Sequence, residues 1–173
     1  AAPRGCRVGP LMPAPSASKE ASALLEERFS FLFHRIAARI ASIGNRHFKK
    51  HKLNHYSARI LVLLLEHREL RTGELVELML LPQSTISTQL QALHKRRLIS
   101  RRRSRQDNRS VIVSLTPAGT VVAQDCDMLS VRVQDELVQL FDASSLRQIS
   151  GFLQGMEQRL AEIEQDSLHP FSD

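Results

Sequence analysis

The sequence predicts a mainly α-helical fold with one small β-hairpin, and three observations predict it. Apolar residues recur at helical spacing through most of the chain, and one β-branched run, Ser110-Val111-Ile112-Val113-Ser114-Leu115, has a period of two. A turn-rich stretch, Ser104-Arg105-Gln106-Asp107-Asn108, separates that run from Leu98 and Ile99, which completes a hairpin. With 173 residues, 42% of them apolar, the chain can bury a core of ordinary domain size. No segment approaches the roughly 18 continuous apolar residues of a membrane helix. Cys6 and Cys126 lie far apart with no C-x-x-C spacing, which excludes a disulfide framework or zinc ribbon and suits a reducing cytosol.

Each element follows from local chemistry. Residues 1–18 contain Pro10, Pro13 and Pro15 and lack the apolar stretch of a secretory signal. They read as a flexible tail, of which the part ahead of Met12 need not belong to the natural start. From about Ser18 a long helix runs to near Lys49, with Phe29, Leu32, Phe33, Ile36, Ile40 and Ile43 on one stripe. That stripe is longer than one subunit needs, so part of it is expected to meet another chain. Asn54 caps a second helix whose apolar run Ile60–Leu65 belongs at the centre of the core, and Leu70 and Arg71 lead out of it. Thr72 is read as the cap of a short third helix with Leu75, Val76, Leu78 and Met79 inward, broken at Pro82. A fourth helix spans about Gln83 to Arg97, with Ile86, Leu90, Leu93 and Arg97 inward. After the hairpin, Thr116 with Pro117 opens a fifth helix carrying Val121, Val122, Met128, Leu129, Val133, Leu137, Leu140 and Phe141. Ser144 or Ser145 caps a sixth, with Leu146, Ile149, Leu153, Met156, Leu160 and Ile163 at helical spacing.

Two short helices joined by a tight turn, followed directly by a hairpin, make a winged helix-turn-helix. The organisation is therefore a tail (1–18), long N- and C-terminal dimerisation helices (19–50 and 117–166), a winged helix-turn-helix domain (54–116) and a C-terminal tail (167–173).

Charge is strongly segregated on this scaffold. The net +6 conceals a run, residues 94–109, that holds eight of the 24 basic side chains and one of the 18 acidic ones, whereas residues 110–173 hold three basic and ten acidic. Such a run attracts a polyanion that the acidic last third repels. The outer face of the fourth helix offers Gln83, Ser84, Thr85, Ser87, Thr88 and Gln91, short hydroxyl and amide groups able to read base edges in a major groove. Lys95, Arg96, Arg97, Arg101, Arg102 and Arg103 sit at phosphate-reaching positions beside them. At the hairpin tip Arg105 and Arg109 suit insertion into a minor groove, with Asp107 placed to pair with Arg109. One tyrosine, no tryptophan and no aromatic interleaving argue for duplex DNA over single-stranded RNA.

With these residues in place, the chain resembles the MarR (multiple antibiotic resistance regulator) family of bacterial winged-helix transcription regulators over about residues 20–165. The likeness rests on Glu74-Leu75-Val76, Ser84-Thr85-Ile86-Ser87, Leu93 through Ile99, and above all Asp107-Asn108-Arg109 followed by Leu115-Thr116-Pro117-Ala118-Gly119. It implies a cytoplasmic homodimer, built from the first, fifth and sixth helices, that binds a pseudo-palindromic double-stranded operator. It also implies Arg109 as the minor-groove arginine steadied by Asp107, and a repressor released by a small hydrophobic or phenolic effector. One departure is Arg97, where the family commonly has a turn glycine; this favours a phosphate contact there.

Other features have plainer readings. His47, His51 and His55 fall at i, i+4 and i+8, but a metal site needs a further ligand, so no metal is expected and His47 and His51 are only weak candidates. Cys126 stands between Asp125 and Asp127, which disfavours its thiolate, and it reads as a small packing residue. Gly151 and Gly155 mark either a close backbone approach or tolerated helix weakness. No phosphate-cradling loop, H-E-x-x-H or nucleophile elbow is present, so no enzyme is expected. The alternatives are a winged helix that docks an acidic protein, or a redox- or metal-responsive regulator of the same fold.

Overall fold

A computed structural model of the protein describes residues 28–103 and 110–167. The described residues fall into two compact units, divided between Ile43 and Gly44. The elements in order are α1 (Phe29–Phe48), a 3-10 turn (Lys49–His51), α2 (His55–His67), β1 (Glu69–Arg71), α3 (Thr72–Met79), α4 (Gln83–Lys95), β2 (Ile99–Arg103), β3 (Val111–Leu115), α5 (Pro117–Val138) and α6 (Ala143–Ser167).

In the first unit α1 is helical as its spacing predicts, with Leu32 and Ile36 exposed and the Arg35 guanidinium 6.0 Å from the centre of the Phe31 ring. Residues ahead of Arg28 lie outside the described residues, including the predicted helix start near Ser18.

The second unit is organised around α2. Ile60, Leu61 and Leu64 are fully buried against Leu75 of α3, Ile86, Leu90 and Leu93 of α4, Leu98, Ile99, Val113, and Ala123 and Cys126 of α5. Asn54 caps α2 as expected, accepting the Ser57 amide at 2.8 Å. Leu70 and Arg71, read as a connection, form β1, which pairs antiparallel with β3 so that the sheet order is β1-β3-β2. The hairpin register sets Ile99 opposite Leu115 and Arg103 opposite Val111.

Several local expectations are corrected. Arg71, not Thr72, is the N-cap of α3, because the Glu74 carboxylate accepts the Arg71 amide at 2.7 Å from within the first turn. Leu78 is half exposed rather than inward, since α3 is only eight residues long and its Leu75 alone is fully buried. Arg97 does not continue the α4 stripe: α4 stops at Lys95, and Arg97 is exposed with φ 57°, the left-handed conformation that a turn glycine would supply. Asp142 opens α6, where Ser144 or Ser145 was expected, accepting the Ser145 amide at 2.7 Å and the Ser144 hydroxyl at 2.8 Å. On α5 the inward residues are Gly119, Ala123 and Cys126, with Val121 and Met128 exposed. Small side chains allow α5 to lie close against α2.

Thr116 fixes the start of α5. Its hydroxyl oxygen accepts the Gly119 amide at 3.0 Å and donates to the Arg97 carbonyl at 2.7 Å, so one side chain caps the helix and closes the left-handed turn after α4.

Candidate nucleic-acid interface

α4 is seated by Ile86, Leu90 and Leu93, all fully buried, which turns its polar side outward. Gln83, Ser84, Ser87, Thr88 and Gln91 are exposed and Thr85 is half-buried. Thr88 donates its hydroxyl to the Ser84 carbonyl at 2.9 Å, one turn back along the helix, leaving the hydroxyl oxygen as an acceptor.

Sequence reasoning missed the group that ties α4 in place. Gln89 lies three residues after Ile86 and four before Leu93, a polar residue on the edge of the apolar stripe. Its carbonyl oxygen accepts the Ser57 hydroxyl at 2.6 Å and the Asn54 amide at 3.0 Å. That position was the available signal, because a polar side chain there needs a partner from another element.

The cations divide by what already holds them. Lys95, Arg96, Arg97, Arg101, Arg102 and Arg103 are all exposed. Alternation along β2 puts Arg101 and Arg103 on one face and Arg102 with Ser100 on the other. There Arg102 pairs with Glu69 at 2.7 Å, and the Ser100 and Ser114 hydroxyls meet at 2.8 Å. The Arg96 guanidinium is turned back onto the chain at the surface, donating Nη1 to the Lys52 carbonyl at 3.0 Å and Nη2 to the His51 carbonyl. Arg105, Asp107 and Arg109 lie outside the described residues.

The histidine candidates meet an acid that spacing could not supply. Asp125 of α5 receives Lys50 Nζ on Oδ1 at 2.9 Å, while His51 Nε2 and His47 Nε2 lie 2.8 and 3.3 Å from its Oδ2. The Lys50 hydrogen bond, foremost, with His51 and His47 behind it, outweighs partial burial and holds the Asp125 carboxyl down at about 2. An ammonium already occupies this carboxylate, and among the described residues no group of three or more His, Cys, Asp or Glu is arranged to hold a metal ion. Cys126 is fully buried, and that burial, with Asp125 beside it, pushes its thiol up to about 11. No described helix is long and apolar enough to cross a membrane.

A buried helical seat, a polar outward helix and an adjoining basic strand on a three-stranded sheet define a winged-helix fold. Residues 43–126 match the family model of the transcriptional regulators SarA/Rot. Over 64 residues, 37% of this chain, the sequence is 36% identical to the organic hydroperoxide resistance transcriptional regulator of Bacillus subtilis, of whose length that stretch spans 44%. The fold is similar to S. aureus MepR in a complex with DNA, with a TM-score of 0.72 and 19% identity over 76% of this chain and 98% of that one. It is also similar to a cysteine variant of E. coli MarR complexed with operator DNA, with a TM-score of 0.66 and 17% identity over 78% of this chain and 99% of that one.

Proposed function

We propose that the chain is a sequence-specific double-stranded DNA-binding transcription regulator. The observation that carries this reading is the continuity of the exposed polar face of α4 with the exposed cations Lys95, Arg97, Arg101 and Arg103. In this reading Gln83, Ser84, Thr85, Ser87, Thr88 and Gln91 meet base edges and the cations meet phosphates on either side. Arg105 and Arg109, with Asp107 pairing the latter, serve the minor groove.

The working unit is a homodimer on a pseudo-palindromic site, one α4 per half-site. Leu137, Leu140 and Phe141 near the α5–α6 junction, and Leu153 and Leu160 on α6, are exposed in the single chain, which supports burial against a second copy. A small hydrophobic or phenolic effector bound between the dimerisation helices and the DNA-binding domain changes the spacing of the two α4 helices, which makes the regulator a ligand-released repressor of the bacterial cytoplasm.

Titration of the protein with DNA from upstream of its own gene, across a salt series, tests this. The expected result is preference for one duplex, with log affinity falling linearly against log salt. Salt-insensitive binding, or equal binding to every duplex, refutes it, and the second outcome favours docking to an acidic protein.

A further inference from the structure

The turn after α1 is held from two sides by the same residue. Through its side chain, His51 reaches Asp125 of α5 at 2.8 Å; through its carbonyl, it receives Arg96, the C-cap of α4. Lys50 and His47 add to the α5 side, and the Lys52 carbonyl adds to the α4 side at 3.0 Å. The turn between them is itself closed, with Lys52 at φ 50°, its amide on the Lys49 carbonyl at 2.9 Å, and the Leu53 amide on the Phe48 carbonyl at 3.2 Å. At the other end of α4 the N-cap is Pro82, which makes no side-chain capping bond.

We infer that Asp125 is a positioning residue for α4, acting through the His51 side chain and carbonyl on the Arg96 guanidinium. The inference rests on α4 being the DNA-reading helix, and deepens that reading by naming the route from a dimerisation helix to it. Arg96 then serves as an internal tether, its guanidinium spent on two backbone carbonyls.

Electrostatics gives the test its sign. Asp125 is an anion, so removing its charge from a DNA-binding protein should leave affinity unchanged or raise it. Loss of a positioning contact should lower affinity without changing the number of phosphates neutralised, and so without changing the salt slope.

The experiment uses the full chain and the tightest duplex that the wild type recovers from a randomised double-stranded pool, with fluorescence anisotropy across a salt series. D125N and R96A should each weaken binding about tenfold with an unaltered slope, and the double variant should be no weaker than either single, as for members of one network. D125E should recover much of the loss. Where D125N fails to fold by thermal melting, H51Q tests the same link from its other end, with the same expected loss.

Unchanged or tighter binding by D125N or H51Q, strictly additive losses, or an R96A slope shallower by about one phosphate overturns the tether. A wild type that recovers no preferred duplex refutes the regulator reading itself, and the tether with it. Failure of the variants alone removes only the tether.

Discussion

Gly119 lies against the Leu98 carbonyl so closely that a β-carbon on it would stand 1.8 Å from the oxygen. The first turn of α5 thus presses directly on the backbone leaving α4, and Thr116 locks both sides by capping one and bonding the Arg97 carbonyl of the other.

Gly119→Ala should therefore be severe for a single methyl group. Backbone on backbone cannot relieve the clash by a rotamer change, so a loss of about 3 kcal/mol is expected from chemical denaturation. A loss under about 0.5 kcal/mol would mean that α5 can slide along the sheet.

Arg97 adopts φ 57° without being glycine. Replacement by glycine should relieve that cost and stabilise the fold by about 0.5–1 kcal/mol after the added chain entropy is subtracted. The same change should weaken DNA binding if Arg97 meets a phosphate, so stability and affinity are expected to move in opposite directions. Parallel melting curves and binding isotherms check this.

Cys126 should be inert. A thiol buried in the core and held at about 11 is almost wholly protonated at neutral pH. Alkylation by iodoacetamide at pH 7, followed peptide by peptide by mass spectrometry, should be about two orders of magnitude slower at Cys126 in the native protein than in denaturant. Rapid native labelling would restore a redox role to this residue.

Acid should release the Asp125 cluster. The carboxyl is held at about 2 in the fold, below its ordinary value of 3.8, so its contribution to stability is full above pH 4 and is lost as pH falls toward 2. In Asp125→Asn that part of the acid dependence should disappear, giving a flatter stability profile over this window. An unchanged profile would show that other carboxyls govern acid unfolding.

Local chemistry made much of this fold readable. Asn54 and Thr116 announce their helices because a cap depends on residues within three positions, and β2 and β3 follow from alternation around a turn. β1 escaped because three residues are too few to show a period, and it exists only by pairing with β3 more than forty positions away. Asp142 was passed over for its serine neighbours because all three are competent caps and only backbone geometry chooses among them. For the candidate site, the outward face of α4 was legible from the inward spacing of Ile86, Leu90 and Leu93. The bonds of Gln89 to Ser57, Arg102 to Glu69 and His51 to Asp125 were not, because each joins residues 32 or more positions apart.

Among the described residues, the strand order β1-β3-β2 leaves β2 at a margin of the sheet, with one row of backbone groups facing away from any described strand. Such a margin can template pairing with a second sheet, and adjacent positive charges are a common deterrent. Arg101, Arg102 and Arg103 lie on that margin, so two molecules approaching strand to strand bring six guanidiniums together. Variants that remove these arginines should therefore also be checked for self-association by light scattering, because like charge on a sheet margin opposes pairing along it.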